Sequence, residues 1–140
     1  MAIQQGATNT FSTGLMNGVY NFTTDSFKIA LYTGSASLGP DTAVYTAGLT
    51  SEVVATGYTA GGIALPVSVT PTSANNTTFI SFSNVTWNAA LTASASLIYK
   101  SGGTNPTVCV LDFGASKTST TTFTIQFPTA NSSDAIIRIT

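Results

Sequence analysis

Apolar and polar residues alternate along much of this chain after residue 26. In the stretch 27–33 every second residue is a large apolar one, beginning with Phe27. A period of two places alternate side chains on opposite faces of a strand, so the pattern predicts a strand with one buried face. Strands are predicted in six further segments: 63–69, 77–87, 93–100, 107–113, 121–127 and 135–140. Within 77–87 the apolar parity changes after Phe82, which predicts a β-bulge near residues 83–84.

Turn-forming residues separate these strands, as in the Gly-, Asn- and Pro-containing stretch 101–106. About seven short strands joined by such turns favour an antiparallel sandwich or barrel. The length of 140 residues fits one domain with one core. We therefore predict an all-β, single-domain antiparallel β-sandwich over residues 1–140, jelly-roll-like or a partly open barrel, in which residues 26–140 form the sandwich.

The N-terminal segment 1–25 follows a different period, because residues 9–22 predict a short helix. Its apolar residues recur at i, i+4, i+8 and i+11, namely Phe11, Leu15, Val19 and Phe22. Asn9 or Thr10 is expected to cap the first turn. Interior glycines weaken a helix by about 1 kcal/mol each, and this one contains Gly14 and Gly18. The helix is therefore expected to form only when its apolar face packs on the domain's own core or on a neighbour, so these four apolar residues are candidate interface residues.

Residues 34–62 show no clear period and predict a long loop. A connection of this length is uncommon in a compact domain and is usually functional when it is ordered. We interpret its Tyr45 and Tyr58 as candidate anchors in a partner's pocket, because tyrosine supplies contact area at low entropic cost. The alternative, that both tyrosines cover the domain's own core, is equally open at this stage.

Charge is scarce, with four Lys or Arg and five Asp or Glu residues in the chain. The surface must therefore consist mostly of hydroxyl, amide and apolar groups, which do not repel a second copy and so favour assembly. The four cations lie far apart, so nucleic acid is not an expected partner. No stretch approaches about 18 consecutive apolar residues, so a membrane is not an expected partner either.

The residue types of common active sites are missing or scattered. The chain has no His, the usual general acid or base. Its acids show no paired spacing: Asp25, Asp41, Glu52, Asp112 and Asp134. The one cysteine, Cys109, lies in an apolar run and is predicted to be a buried free thiol. We therefore predict that the protein is not an enzyme and that it has no catalytic, cofactor-binding or metal-binding residues.

Trp87 is the one tryptophan and shares its apolar parity with Val85. We predict that it lies in the core, packed with residues such as Phe82, Leu97 and Phe123. The alternative is a stacking platform for a sugar ring, with Tyr99 or Tyr32 nearby.

Seven stretches, in order along the chain, carry a resemblance to known proteins. They are 27–33 (FKIALYT), 57–62 (GYTAGG), 85–87 (VTW), 97–99 (LIY), 111–114 (LDFG), 123–128 (FTIQFP) and 135–139 (AIIRI). With them the chain resembles small structural proteins of tailed-bacteriophage virions, over most of residues 10–140. The resemblance implies a component of the virion particle without catalytic residues.

From this resemblance and the low charge we expect a capsid decoration or cement protein that acts as a symmetric oligomer, with a trimer favoured. Its expected partners are the major capsid protein or other virion proteins. A tail, neck or fibre-associated virion protein is the first alternative, and a receptor- or glycan-binding module is the second. Residues 1–15 lack the basic start and apolar stretch of a secretory signal, which fits assembly in the host cytoplasm and release by lysis.

Overall fold

The computed structural model of the chain describes residues 3–47 and 51–140. Residues 1–2 of the predicted N-terminal segment and 48–50 of the predicted long loop lie outside the described residues. The helix and strands in chain order are β1 (Gly6–Ala7), α1 (Asn9–Met16), β2 (Phe27–Tyr32), β3 (Ile63–Ala64), β4 (Val67–Ala74), β5 (Thr77–Phe82), β6 (Val85–Trp87), β7 (Thr92–Lys100), β8 (Thr107–Thr118), β9 (Phe123–Ile125) and β10 (Ile137–Ile139). The prediction of an all-β fold is confirmed.

The strands form three sheets in which every neighbouring pair is antiparallel. The five-stranded sheet has the order β1-β8-β7-β2-β3, the three-stranded sheet the order β10-β5-β4, and β6 pairs with β9. The longest continuous register joins β2 to β7, from Phe27 opposite Lys100 to Tyr32 opposite Ala95. This pairing places the predicted strand at 27–33 near the centre of the largest sheet.

One face of the five-stranded sheet packs against the two smaller sheets and forms the main core. Its buried side chains come from both layers, for example Ile29 and Leu31 from β2, Phe82 from β5, and Trp87 and Phe123 from β6 and β9. Such burial between facing sheets is what makes the fold sandwich-like. Each fully buried aliphatic side chain contributes about 1.5–3 kcal/mol relative to exposure.

The opposite face of the same sheet is covered by part of the long loop (34–62), whose Val53 and Tyr58 instead pack in the main core. Leu97, Tyr99 and Val110 from the sheet pack there with Leu38 and Tyr45 from the loop. Because both faces are covered, β7 is buried over most of its length instead of alternating. A strand buried on both faces reads as a nearly continuous apolar run.

The helix is shorter than predicted. It ends at Met16, and its N-cap is Thr8, whose side chain accepts a hydrogen bond from the backbone N–H of Phe11 at 3.1 Å. The predicted range 9–22 and the predicted caps are therefore wrong. The chain turns at Gly18, where φ is +73°, and then returns along the helix. A Cβ at Gly14 would overlap the ring of Tyr20, so this glycine permits the close return.

Two predicted strands are each divided between sheets. The segment 77–87 forms β5 in the three-stranded sheet and β6 in the two-stranded sheet, so residues 83–84 are a crossing between sheets and not a bulge. The backbone N–H of Ser83 donates to the carbonyl of Pro66 at 2.9 Å at this crossing. The segment 63–69 likewise divides into β3 and β4.

Trp87 and Cys109 are both buried, as predicted. The indole of Trp87 is 4% exposed and meets Phe123 edge-on at 6.3 Å between ring centroids. The expected contact with Leu97 is wrong, because Leu97 belongs to the other face of the five-stranded sheet. Cys109 is free, and burial raises the pKa of its thiol to about 12.

Candidate interaction surfaces

A buried carboxylate stands at the centre of the long loop's attachment to the sheet. Glu52 is 7% exposed. Its Oε1 accepts a hydrogen bond from the hydroxyl of Tyr45 at 2.8 Å. Its Oε2 accepts one from the hydroxyl of Tyr58 and one from the backbone N–H of Gly61, both at 2.8 Å. Three donors directed at one carboxylate offset much of the cost of burying its charge.

The donors around Glu52 are themselves fixed by the sheet. The hydroxyl of Tyr58 accepts from the backbone N–H of Leu31 at 2.9 Å. Tyr45 stacks on Tyr99 at 4.5 Å between ring centroids, and the hydroxyl of Tyr99 donates to the carbonyl of Gly61 at 2.6 Å. We call Tyr45, Glu52, Tyr58, Gly61 and Tyr99 the Glu52 cluster. It joins β2 and β7 to three separate points of the loop.

The electrostatics of the Glu52 cluster keep its tyrosines protonated. Burial, with the nearby charge of Glu52 as a smaller cause, raises the pKa of Tyr99 to about 12. Burial also raises the pKa of Tyr45 and of Tyr58 above the usual value, and the hydrogen bonds to Glu52 add to the increase in both. Neutral phenols that donate to an anion serve as structural donors, so the cluster attaches the loop to the sheet.

The structure corrects the prediction that Tyr45 and Tyr58 are anchors for a partner. Both are buried against their own chain, at 5% and 9% exposure, and their hydroxyls are used by Glu52. The same correction applies to Phe11 and Phe22, which lie in the main core. Of the six predicted interface residues, Leu15 is half-buried and Val19 is 39% exposed.

An apolar groove remains open between α1 and β10, with a volume of about 430 Å³. We call it the α1–β10 groove. Its α1 side presents Leu15 and Met16, and its β10 side presents Ile137, Arg138 and Ile139. Met16 is 90% exposed and Ile139 is 54% exposed. Exposed apolar side chains grouped at one groove are a mark of interaction sites.

A second groove of about 590 Å³ lies between β8 and β9. Phe113 and Lys117 of β8, Phe127 after β9 and Ile136 before β10 contribute to its lining. We call it the β8–β9 groove. Among the residues that the structure describes, no Asp or Glu lines this groove or the α1–β10 groove, whereas each contains one cation, Lys117 or Arg138. The α1–β10 groove is mainly apolar, whereas the β8–β9 groove combines apolar residues with Thr, Ser and Gln.

Within residues 3–47 and 51–140, no group of three or more His, Cys, Asp or Glu side chains is placed to hold a metal ion. Over the same residues, no helix is long and apolar enough to span a membrane. Comparison of the chain with protein families, with characterised proteins and with solved structures finds no match. The function must therefore be argued from the surfaces of the chain itself.

The sequence signals for these surfaces were weak. Met16 lies outside the apolar spacing of residues 9–22, and the apolar residues of 135–140 predict only a strand. The donors to Glu52 lie at positions 45, 58 and 61, in a segment without period, so the sequence does not predict that this acid is paired. Only the fold brings α1 beside β10 and the three donors to Glu52.

Proposed function

We propose that the chain is a non-enzymatic structural component of a tailed-phage virion, and that within the virion it decorates or cements the capsid as a symmetric oligomer, with a trimer favoured. The observation that carries the proposal is the open, carboxylate-free α1–β10 groove on a chain that has only nine charged residues. An apolar groove with little charge to desolvate favours protein association. The resemblance of seven stretches of the sequence to virion proteins is the reason for placing the chain in a virion.

The glycan-binding alternative loses its main support. A sugar platform needs an exposed aromatic ring, whereas Trp87, Tyr32 and Tyr99 are 4%, 1% and 3% exposed. The burial of these rings argues against a sugar site built on them, and a position on the tail or neck is the remaining alternative.

The test is a subunit count on intact particles of the phage that encodes the chain. Quantitative mass spectrometry against the major capsid protein is expected to give hundreds of copies per particle, because a decoration protein follows the capsid lattice. A few copies or about a dozen would place the chain on the tail apparatus. Its complete absence from purified particles would refute the virion assignment. Native mass spectrometry of the isolated chain is expected to show the trimer.

A further inference from the structure

The α1–β10 groove combines three features that together define a kind of partner. The first is accessible apolar surface, since Met16 and Ile139 lie on opposite walls at 90% and 54% exposure. Beneath them the groove reaches the half-buried Leu15 and the buried Phe11. An apolar side chain that enters the groove would therefore contact the aromatic edge of the main core.

The second feature is a free strand edge. β10 is the outer strand of its sheet and pairs only with β5, from Ile137 opposite Ile80 to Ile139 opposite Thr78. Its other edge carries backbone groups without a strand partner among the described residues. Such an edge accepts an extended segment by strand addition. With three residues in β10, backbone pairing supplies few hydrogen bonds, so the apolar contacts must supply much of the affinity.

The third feature is an uncompensated cation. Arg138 is the central residue of β10, and the ion pair found among the described residues is a different one, Lys100 with Asp25 at 3.1 Å. The Arg138 guanidinium approaches the carbonyl of Ser132 at 3.5 Å, a long and weak contact. Arginine prefers a carboxylate partner with two parallel hydrogen bonds.

We propose that the α1–β10 groove binds an extended apolar segment of a partner protein, that this segment adds as a strand to the free edge of β10, and that a carboxylate within it pairs with Arg138. This proposal rests on the proposed function, which places the partner in a virion. It adds the chemistry of the segment that the partner contributes. The affinity arises mainly from burying Met16 and Ile139, and the specificity arises from Arg138.

A second copy of this chain fits the groove less well. Antiparallel pairing of two β10 strands about their centre would put Arg138 opposite Arg138, and like charges in directly opposed positions destabilise a strand pair. An acidic segment from a different protein removes this repulsion and replaces it with attraction.

The test uses the full chain and two fluorescein-labelled, capped eight-residue peptides of alternating valine and threonine, one with a central glutamate and the other with lysine at the same position. Fluorescence anisotropy is expected to show saturable binding of the glutamate peptide. Its affinity is expected to exceed that of the lysine peptide by up to about fivefold, the range that one exposed ion pair supports.

Three variants test separately how much charge and apolar contact contribute to the affinity for the peptides. Arg138→Gln is expected to remove the preference for glutamate. Lys117→Gln is the matched control, because Lys117 lines the β8–β9 groove, and it is expected to leave the preference unchanged. Ile139→Thr is expected to weaken both peptides at least about fivefold by removing apolar contact. The side chain of Ile139 is more than half exposed, so this variant is expected to keep its melting temperature.

Three outcomes would overturn the inference. They are no saturable binding of either peptide, binding that Ile139→Thr and Arg138→Gln leave unchanged, and a concentration-dependent dimer in sedimentation that Ile139→Thr abolishes. The third would assign the groove to a second copy. The subunit count on particles is independent of all three, so a chain found in particles but unable to bind the peptides refutes this inference alone.

Discussion

The five-stranded sheet is buried on both faces, but its two covers differ in kind. On one face the smaller sheets supply apolar side chains that interlock with those of β2, β7 and β8. On the other face an irregular loop packs Leu38 and Tyr45 on the sheet, and the Glu52 cluster attaches this loop at the edge of β2, with Tyr58 on the side of the main core. The cover formed by sheets is stabilised mainly by buried apolar area. The cover formed by the loop depends on a few directed hydrogen bonds, so the loss of one polar residue is expected to weaken its attachment to the sheet.

The largest expected effect is on the apolar face. Trp87→Ala is expected to lower the free energy of unfolding by about 3–5 kcal/mol, because it leaves a cavity beside Phe123 and Tyr58. Urea denaturation followed by circular dichroism measures the loss. Val54→Ala is the control, since Val54 is 96% exposed and is expected to change little. An unchanged midpoint for Trp87→Ala would show that this face tolerates the cavity.

The next effect is on the loop-covered face. Glu52→Ala is expected to cost about 3 kcal/mol, because it leaves two buried hydroxyls and one buried N–H without their acceptor. Glu52→Gln is expected to cost less, because its carbonyl oxygen still accepts from Tyr58 while Tyr45 turns to accept from the amide. Asp41→Ala serves as the control for losing an exposed carboxylate. Equal stabilities of all three variants would exclude the role assigned to Glu52.

Hydrogen exchange shows which part of the chain loses protection in the Glu52 variants. In Glu52→Ala the amides of the loop are expected to exchange faster, whereas those of β5 and β6 keep their protection. Loss of protection throughout the chain would instead show that the two covers unfold as one unit.

A third prediction concerns alkaline pH. Tyr20 and Tyr99 have a pKa raised to about 12 in the folded protein, against an unfolded value of about 10. Their contribution to stability is therefore complete below about pH 10 and is lost as pH rises towards 12. Each is expected to lower the free energy of unfolding by about 1.4 kcal/mol per pH unit in that window. Urea titrations at several pH values measure this slope.

Tyr99→Phe tests the alkaline prediction directly, because it removes one of the two tyrosines whose pKa is raised to about 12. The slope between about pH 10 and 12 is expected to become shallower by the contribution of one tyrosine. A slope unchanged in Tyr99→Phe would show that this hydroxyl ionises equally in the folded and unfolded protein.

The smallest expected effect distinguishes two tyrosines near the same carboxylate. The hydroxyl of Tyr32 is buried and has no hydrogen-bond partner among the described residues, whereas that of Tyr58 has two partners. Tyr32→Phe is expected to change the stability by less than about 1 kcal/mol or to increase it, and Tyr58→Phe is expected to cost about 1–2 kcal/mol. Thermal denaturation of both variants compares them directly. A larger loss for Tyr32→Phe would reveal a bound water that completes its hydrogen bonding.

The comparison of the two covers also explains which features the sequence predicts. The alternation at 27–33 and the apolar run after Thr107 identify β2 and the first half of β8, because local period and burial agree there. The division of 77–87 between two sheets depends on contacts with distant strands, such as Ser83 with Pro66. Propensity and periodicity do not contain that information.

The loop and the α1–β10 groove are beyond local prediction for the same reason. Glu52 and its donors belong together only because β2 and β7 hold Leu31 and Tyr99 in place. The sequence singles out Tyr45 and Tyr58 as aromatic residues in an unusual loop and leaves open whether they contact a partner or the domain's own core, in which both are buried. Aromatic residues in a polar loop fit either a partner or the chain's own core, and only the fold decides between them.

The loop also completes the outer edge of β2, which leaves that edge unavailable to a strand from another copy. Beyond the two-residue strand β3, the backbone N–H of Val53 donates to Leu31 and that of Thr33 donates to Ser51, at 2.9 and 2.8 Å. On another sheet, Pro71 and two register irregularities interrupt the outer strand β4. Stacking of copies edge to edge requires exposed complementary edges on each molecule. With these two edges occupied or interrupted, growth through them into an open-ended fibril is blocked.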